Sequence, residues 1–205
     1  MADVLAVVGP IVVAVTWLVV RSGRASIWIA TSVVMAVLGV LSLLTGNVEA
    51  TRDGSVALAA AVGVGAGVAL YLATAAFMAV AGGWPPLARH ATALYGNRGS
   101  ISVPLAVALS ALVVAPGEEL LWRGVVLDAI GGAVDGVMVA AALAWLGYVA
   151  ANAFSGSIPI LLGAVVGGAA WTALAVTRYG ITAAIGCHAV WTSLMILRPP
   201  VRRPA

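Results

Sequence analysis

Seven stretches of this chain are too long and too oily to be faces of water-soluble helices. They cover residues 4–20, 27–44, 56–81, 101–130, 137–154, 160–176 and 181–197, and short polar segments separate them. A helix needs about 20 apolar residues to cross the hydrocarbon core of a bilayer. The pattern predicts an all-α fold: a polytopic transmembrane helical bundle of about seven segments. Composition decides the solvent. The chain is 63% hydrophobic and 8% charged, with a mean hydropathy of +1.13, against roughly 25% charge in soluble domains. The lipid bilayer is the first partner the sequence implies.

Residues 1–205 read as a single integral membrane domain without linker or internal repeat. The first run lacks the basic segment that precedes a secretory signal, so it is expected to stay on the protein as a helix. In the third run Gly63 and Gly67 have the small-xxx-small spacing that lets helices approach closely. The segment "GGWPPLARHATALYGNRGS" reads as a loop with a short interfacial helix, where Trp84 and Tyr95 suit the headgroup level. His90 lies there as a solvated or interfacial residue. The fourth run is roughly 30 residues long, more than one crossing needs. Pro116 lies within it, and a proline removes a helix bond and clashes with the preceding turn. That run is expected to be a long kinked helix, or two segments meeting near Pro116.

The arginines orient the bundle. Arg21, Arg24, Arg89, Arg98, Arg198, Arg202 and Arg203 share one side if there are seven crossings. The other side receives Arg52 and Arg178 with Glu49, Asp53, Asp128 and Asp135. The positive-inside rule then predicts a multi-pass protein of the cell membrane with its N-terminus outside. The tail 198–205 is a basic cytoplasmic extension. No basic stripe is long enough to cover a phosphate backbone, so no nucleic acid is expected as partner. Cys187 is the only cysteine, which rules out an intrachain disulfide. No HExxH motif or phosphate loop is present, and "GVGAGVA" lacks the lysine of one.

Against this background "VVAPGEELLWRGVV" is costly. Glu119 and Arg123 are one helical turn apart, with the acid first, which is the favourable order for an ion pair. Such a pair is equally a means for a helix to carry charge in a dry bundle. Glu118 points elsewhere on the helix, and an unpaired desolvated carboxylate costs several kcal/mol. Ionisable groups at membrane depth usually line a cavity or a path. Glu118 is therefore the better candidate for a general base that takes a proton from water; an acidic residue at a helix start is its bland alternative. His188 in the last run either bonds across to another helix or orients a water or metal, with Glu118 as a candidate partner. Asn152 is either glue between helices or a donor to a developing oxyanion. Tyr148 shares a helix face with Asn152, and Thr192 shares one with His188; Trp191 nearly does.

The motifs "EELLWRG", "YVAAN" and "HAVWT" together resemble the CAAX-protease and bacteriocin-processing (CPBP or Abi) family of intramembrane metalloproteases. The resemblance covers roughly residues 100–197. The family's Glu-Glu-xxx-Arg motif falls on Glu118, Glu119 and Arg123. Its Phe-xxx-His motif falls on Tyr148 and Asn152. Its His-xxx-Asn or His-xxx-Asp motif falls on His188 and Thr192. The resemblance implies an endopeptidase acting on a peptide or protein substrate at the membrane, with water activated by Glu118. Two positions depart from the pattern: Asn152 stands for a histidine and Thr192 for an asparagine or aspartate. A divalent metal such as zinc wants three protein ligands plus water. Glu118, Glu119 and His188 are the whole candidate set, with Glu119 engaged by Arg123, so a tight zinc site is not expected. The same departures motivate an alternative, a catalytically impaired member acting as membrane scaffold or immunity protein. A small transporter is a third reading.

Overall fold

A computed structural model describes residues 1–45, 48–52, 54–96 and 101–200, with the side chains of residues 95 and 96 excepted. Asp53, Arg98, Arg202, Arg203, the side chain of Tyr95 and most of the basic tail lie outside the described residues. Eight helices are found among the described residues: α1 (Ala2–Arg21), α2 (Ile27–Leu44), α3 (Val56–Ala81), α4 (Pro85–Gly96), α5 (Val103–Gly131), α6 (Val137–Ala153), α7 (Ile158–Val176) and α8 (Gly180–Leu197). Six are long and apolar enough to cross a membrane. At 17 residues α6 is the shorter seventh, and it still reaches about 25 Å at 1.5 Å per residue. The surface is apolar in the manner of a lipid-facing one, with Val33, Val37, Leu72, Leu112 and Leu146 all more than half exposed. This is a multi-pass membrane protein.

The helices run alternately up and down, and contacts between loops show which ends coincide. The Arg21 side chain lies over Gly156, and His90 Nδ1 accepts from the Ile158 N–H at 3.2 Å. Thus the α1–α2 turn, α4 and the α6–α7 turn share one end of the bundle. At the other end the Arg52 N–H donates to the Arg178 carbonyl, and Thr182 Oγ1 donates to that of Ala50. Gly156 makes the α6–α7 turn with φ +64°, a conformation that costs a residue with a Cβ.

The fourth run is one helix, α5, built of joined pieces. Wider π turns occupy Ser110–Val114 and Leu120–Val126, on either side of an α-helical piece, Ala115–Glu119. The Ala115 N–H bonds to the Ser110 carbonyl, five residues back. Loosening the turn just before Pro116 gives room to a ring that would otherwise meet the carbonyl four residues earlier. A third π turn, Gly163–Gly167, lies in α7. Such turns concentrate at functional sites; the two in α5 bracket Glu118 and Glu119, and the second of them carries Arg123.

Glycines set the closest helix contacts. A Cβ on Gly117 would strike the backbone carbonyl of Met35, so α2 presses against α5 one residue before Glu118. Gly63 and Gly67 do the same for α3, against the backbones of Ala183 and Cys187 on α8. The small-xxx-small pair thus marks the α3–α8 contact.

Candidate active site

The charged residues of α5 are buried. Glu118 is 7% exposed, Glu119 0% and Arg123 6%. Arg123 reaches from the second π turn of α5 to α7. Its Nη1 donates to Glu119 Oε1 (3.3 Å), its Nη2 to the Gly168 carbonyl (2.9 Å) and its Nε to Thr172 Oγ1 (3.1 Å). Thr172 passes its own proton to the same Gly168 carbonyl at 2.8 Å. That carbonyl directly follows the π turn of α7. The guanidinium also lies 4.5 Å from the centre of the Tyr148 ring, a favourable cation–π distance.

His188, near the middle of α8, places Nδ1 at 2.8 Å from Glu119 Oε1. A carboxylate oxygen accepts, so Nδ1 carries the proton and Nε2 is the free ring nitrogen. Trp171 stacks on the imidazole, with ring centres 3.6 Å apart and planes 10° from parallel. The partner of His188 is therefore Glu119, and not the Glu118 that the sequence had suggested. The reason is geometric: Glu119 Oε1 accepts from Arg123 and His188 together, which joins α5 to α8 through one oxygen, while the other nitrogens of Arg123 carry the link to α7. Glu119 Oε2 is buried without a partner among the described residues.

Glu118 faces a different neighbour. Tyr148 OH donates to its Oε2 at 2.7 Å, and its Oε1 has no partner among the described residues. Asn152 lies one turn beyond Tyr148 on α6. Its Nδ2 donates to the Tyr148 carbonyl at 2.9 Å, and its Oδ1 accepts from the Trp17 indole of α1 at 3.0 Å. Glu118, Tyr148, Asn152, Trp171, His188, Trp191 and Thr192 all line one cavity of about 430 Å³. Its walls are otherwise mostly apolar and extend to Leu87, Ala91 and Leu94 of α4. The Thr192 hydroxyl is buried without a partner among the described residues, and Trp191 Nε1 donates to Thr74 Oγ1 at 3.1 Å. A second cavity, of about 630 Å³, is lined by Glu49, Arg52, Asp128 and Arg123. The cluster of Glu119, Arg123 and His188 is the partition between the two.

The cavity offers a metal two donors, Glu118 Oε1 and His188 Nε2. Glu119 is held by Arg123 and His188, and Asn152 Oδ1 is held by Trp17. Among the described residues no group of three or more His, Cys, Asp or Glu could hold a metal ion. The donor set does not fit a zinc site.

Three contributors escape a reading of the sequence: Trp17, Thr172 and Trp171. Thr172 stands one turn after Gly168 in a run of small residues, and that spacing is the only signal it gives. Residues 100–194 match the family described as type II CAAX prenyl endopeptidase Rce1-like. Over that stretch, just under half of the chain, the sequence is similar to that family. No curated protein and no solved structure matches.

Proposed function

We propose that the protein is an intramembrane endopeptidase acting on a membrane-associated or lipid-proximal peptide, with Glu118 as general base. The observation that carries this reading is the shared cavity, in which two acceptors and two donors stand unclaimed. Glu118 Oε1 and His188 Nε2 are acceptors without partners among the described residues. A water donating to both would direct its lone pair at a substrate carbonyl. Glu118 takes a proton as the water oxygen bonds to the carbonyl carbon. The C=O electron pair moves to oxygen, where Asn152 and Thr192 are placed to donate. When the C–N bond breaks, the proton on Glu118 passes to the leaving amine. Tyr148 steadies the other oxygen of Glu118, while Glu119 holds the imidazole in the tautomer that leaves Nε2 free. Arg123 holds Glu119.

The arginine distribution puts the end that carries α4 in the cytoplasm, so substrate reaches the cavity from that face. Protein reconstituted in bilayers should cleave members of a peptide library. Glu118→Gln keeps the size and the Tyr148 bond and should lower the rate by about 10²-fold or more, the usual worth of a positioned base. Cleavage at the original rate in this variant would end the reading.

A second reading, a scaffold or immunity protein that does no chemistry, draws on one observation. Asn152 stands where the family has a histidine, and both ends of its amide are already bonded within the protein. It predicts no hydrolysis by the unaltered chain on any peptide.

A further inference from the structure

Trp17 belongs to α1, outside the matched residues 100–194, yet it is 6% exposed and bonded to a residue of the cavity. An indole nitrogen can only donate, and a backbone carbonyl can only accept. Trp17 Nε1 faces one end of the Asn152 amide, and the Tyr148 carbonyl faces the other. Only one amide orientation satisfies both neighbours; the flipped one opposes donor to donor and acceptor to acceptor. Nδ2 carries two N–H bonds. One goes to Tyr148, and the second has no partner among the described residues.

We infer that Trp17 is a positioning residue that locks the Asn152 amide, so that its second N–H is presented to the cavity as a donor to the substrate oxygen. The use of that donor in catalysis rests on the peptidase reading above; the lock itself does not. A helix absent from the family match thereby completes the site. Asn152 at this position draws on Trp17, because without the indole only the Tyr148 carbonyl orients the amide, and a flipped amide would offer the cavity a carbonyl that repels a developing oxyanion.

Two measurements on the full chain in phosphatidylethanolamine–phosphatidylglycerol nanodiscs decide the matter. In the first, Trp17→Phe keeps the ring and loses the N–H. It should lower kcat about tenfold with KM unchanged, a part of the roughly 10²–10³-fold that losing an oxyanion donor outright costs. Asn152→Ala should lower kcat further, and the double variant should fall no lower than Asn152→Ala alone. An unchanged kcat in Trp17→Phe, or a double variant that loses the product of the two single effects, overturns the inference. The second measurement needs no hydrolysis. The indole proton resonance of Trp17, assigned by its loss in Trp17→Phe, should hold its shift in Asn152→Asp, which still accepts, and move in Asn152→Leu. A resonance that ignores Asn152→Leu overturns the lock whether or not the protein cleaves peptides. A chain that cleaves nothing, with a resonance that follows Asn152, fails the peptidase reading and leaves the lock standing.

Discussion

Glu119 Oε1 receives two donors while Oε2 receives none, so the carboxylate depends on Arg123 and His188 for nearly all its compensation. Removing one partner of a buried ion pair costs about 3–5 kcal/mol, because the remaining charge stays desolvated. Arg123→Ala should therefore lower the unfolding free energy by about that amount, read from titration of the protein out of mild micelles with dodecyl sulfate. Arg123→Lys should recover only part of it. A lysine has no planar fork to span Glu119, Thr172 and the Gly168 carbonyl at once. The Glu119–Arg123 pair was legible from spacing, since residues one turn apart on a helix must meet. That His188 turns to Glu119 and not to Glu118 was not legible. Periodicity fixes neighbours along a helix and is silent on distances between helices. For the same reason Trp17 and Thr172 read as ordinary residues of apolar runs. Their importance comes from the acceptors opposite them.

At the scale of elements, helix contacts at glycine govern where the site residues stand. Gly117→Ala puts a methyl into the Met35 carbonyl, a backbone atom that cannot rotate away. Overpacking of this kind costs about 1–3 kcal/mol, and here it also pushes α2 from the turn that carries Glu118. Gly65→Ala on α3 is the matched control, because a Cβ there meets nothing within 4 Å. The same dodecyl sulfate titration should show a loss for the first variant and no loss for the second. The seven runs emerged as helices because length and apolarity in a bilayer leave a chain few alternatives. Their bounds shifted by a residue or two, and the fourth became a single helix. The π turns had no visible sign beyond Pro116, since a wider turn is a response to packing on both sides of it. Small residues at Gly63 and Gly67 hinted at a close contact; only the fold names Ala183 and Cys187 as the partners.

For the whole molecule, the loop contacts fix which ends coincide, and the arginines predict a direction that labelling can test. Ser55→Cys should react with a membrane-impermeant maleimide added to intact cells, while Ser22→Cys at the opposite end should react only after lysis. The native thiol of Cys187 is fully buried and should give little background. The reverse pattern would invert the topology and with it the face from which substrate arrives. The family-like half announced itself through motifs, whereas α1 to α3 looked generic even though α1 lends the site an indole and α2 and α3 press on α5 and α8. The apolar cavity has a practical sequel for anyone handling the purified protein. Its oily walls suit the alkyl tail of a solubilising surfactant as well as they suit a peptide, so micelles should act as competitive inhibitors. Turnover sought in dodecyl maltoside is then expected to be masked, and exchange into surfactant-free bilayers to unmask it.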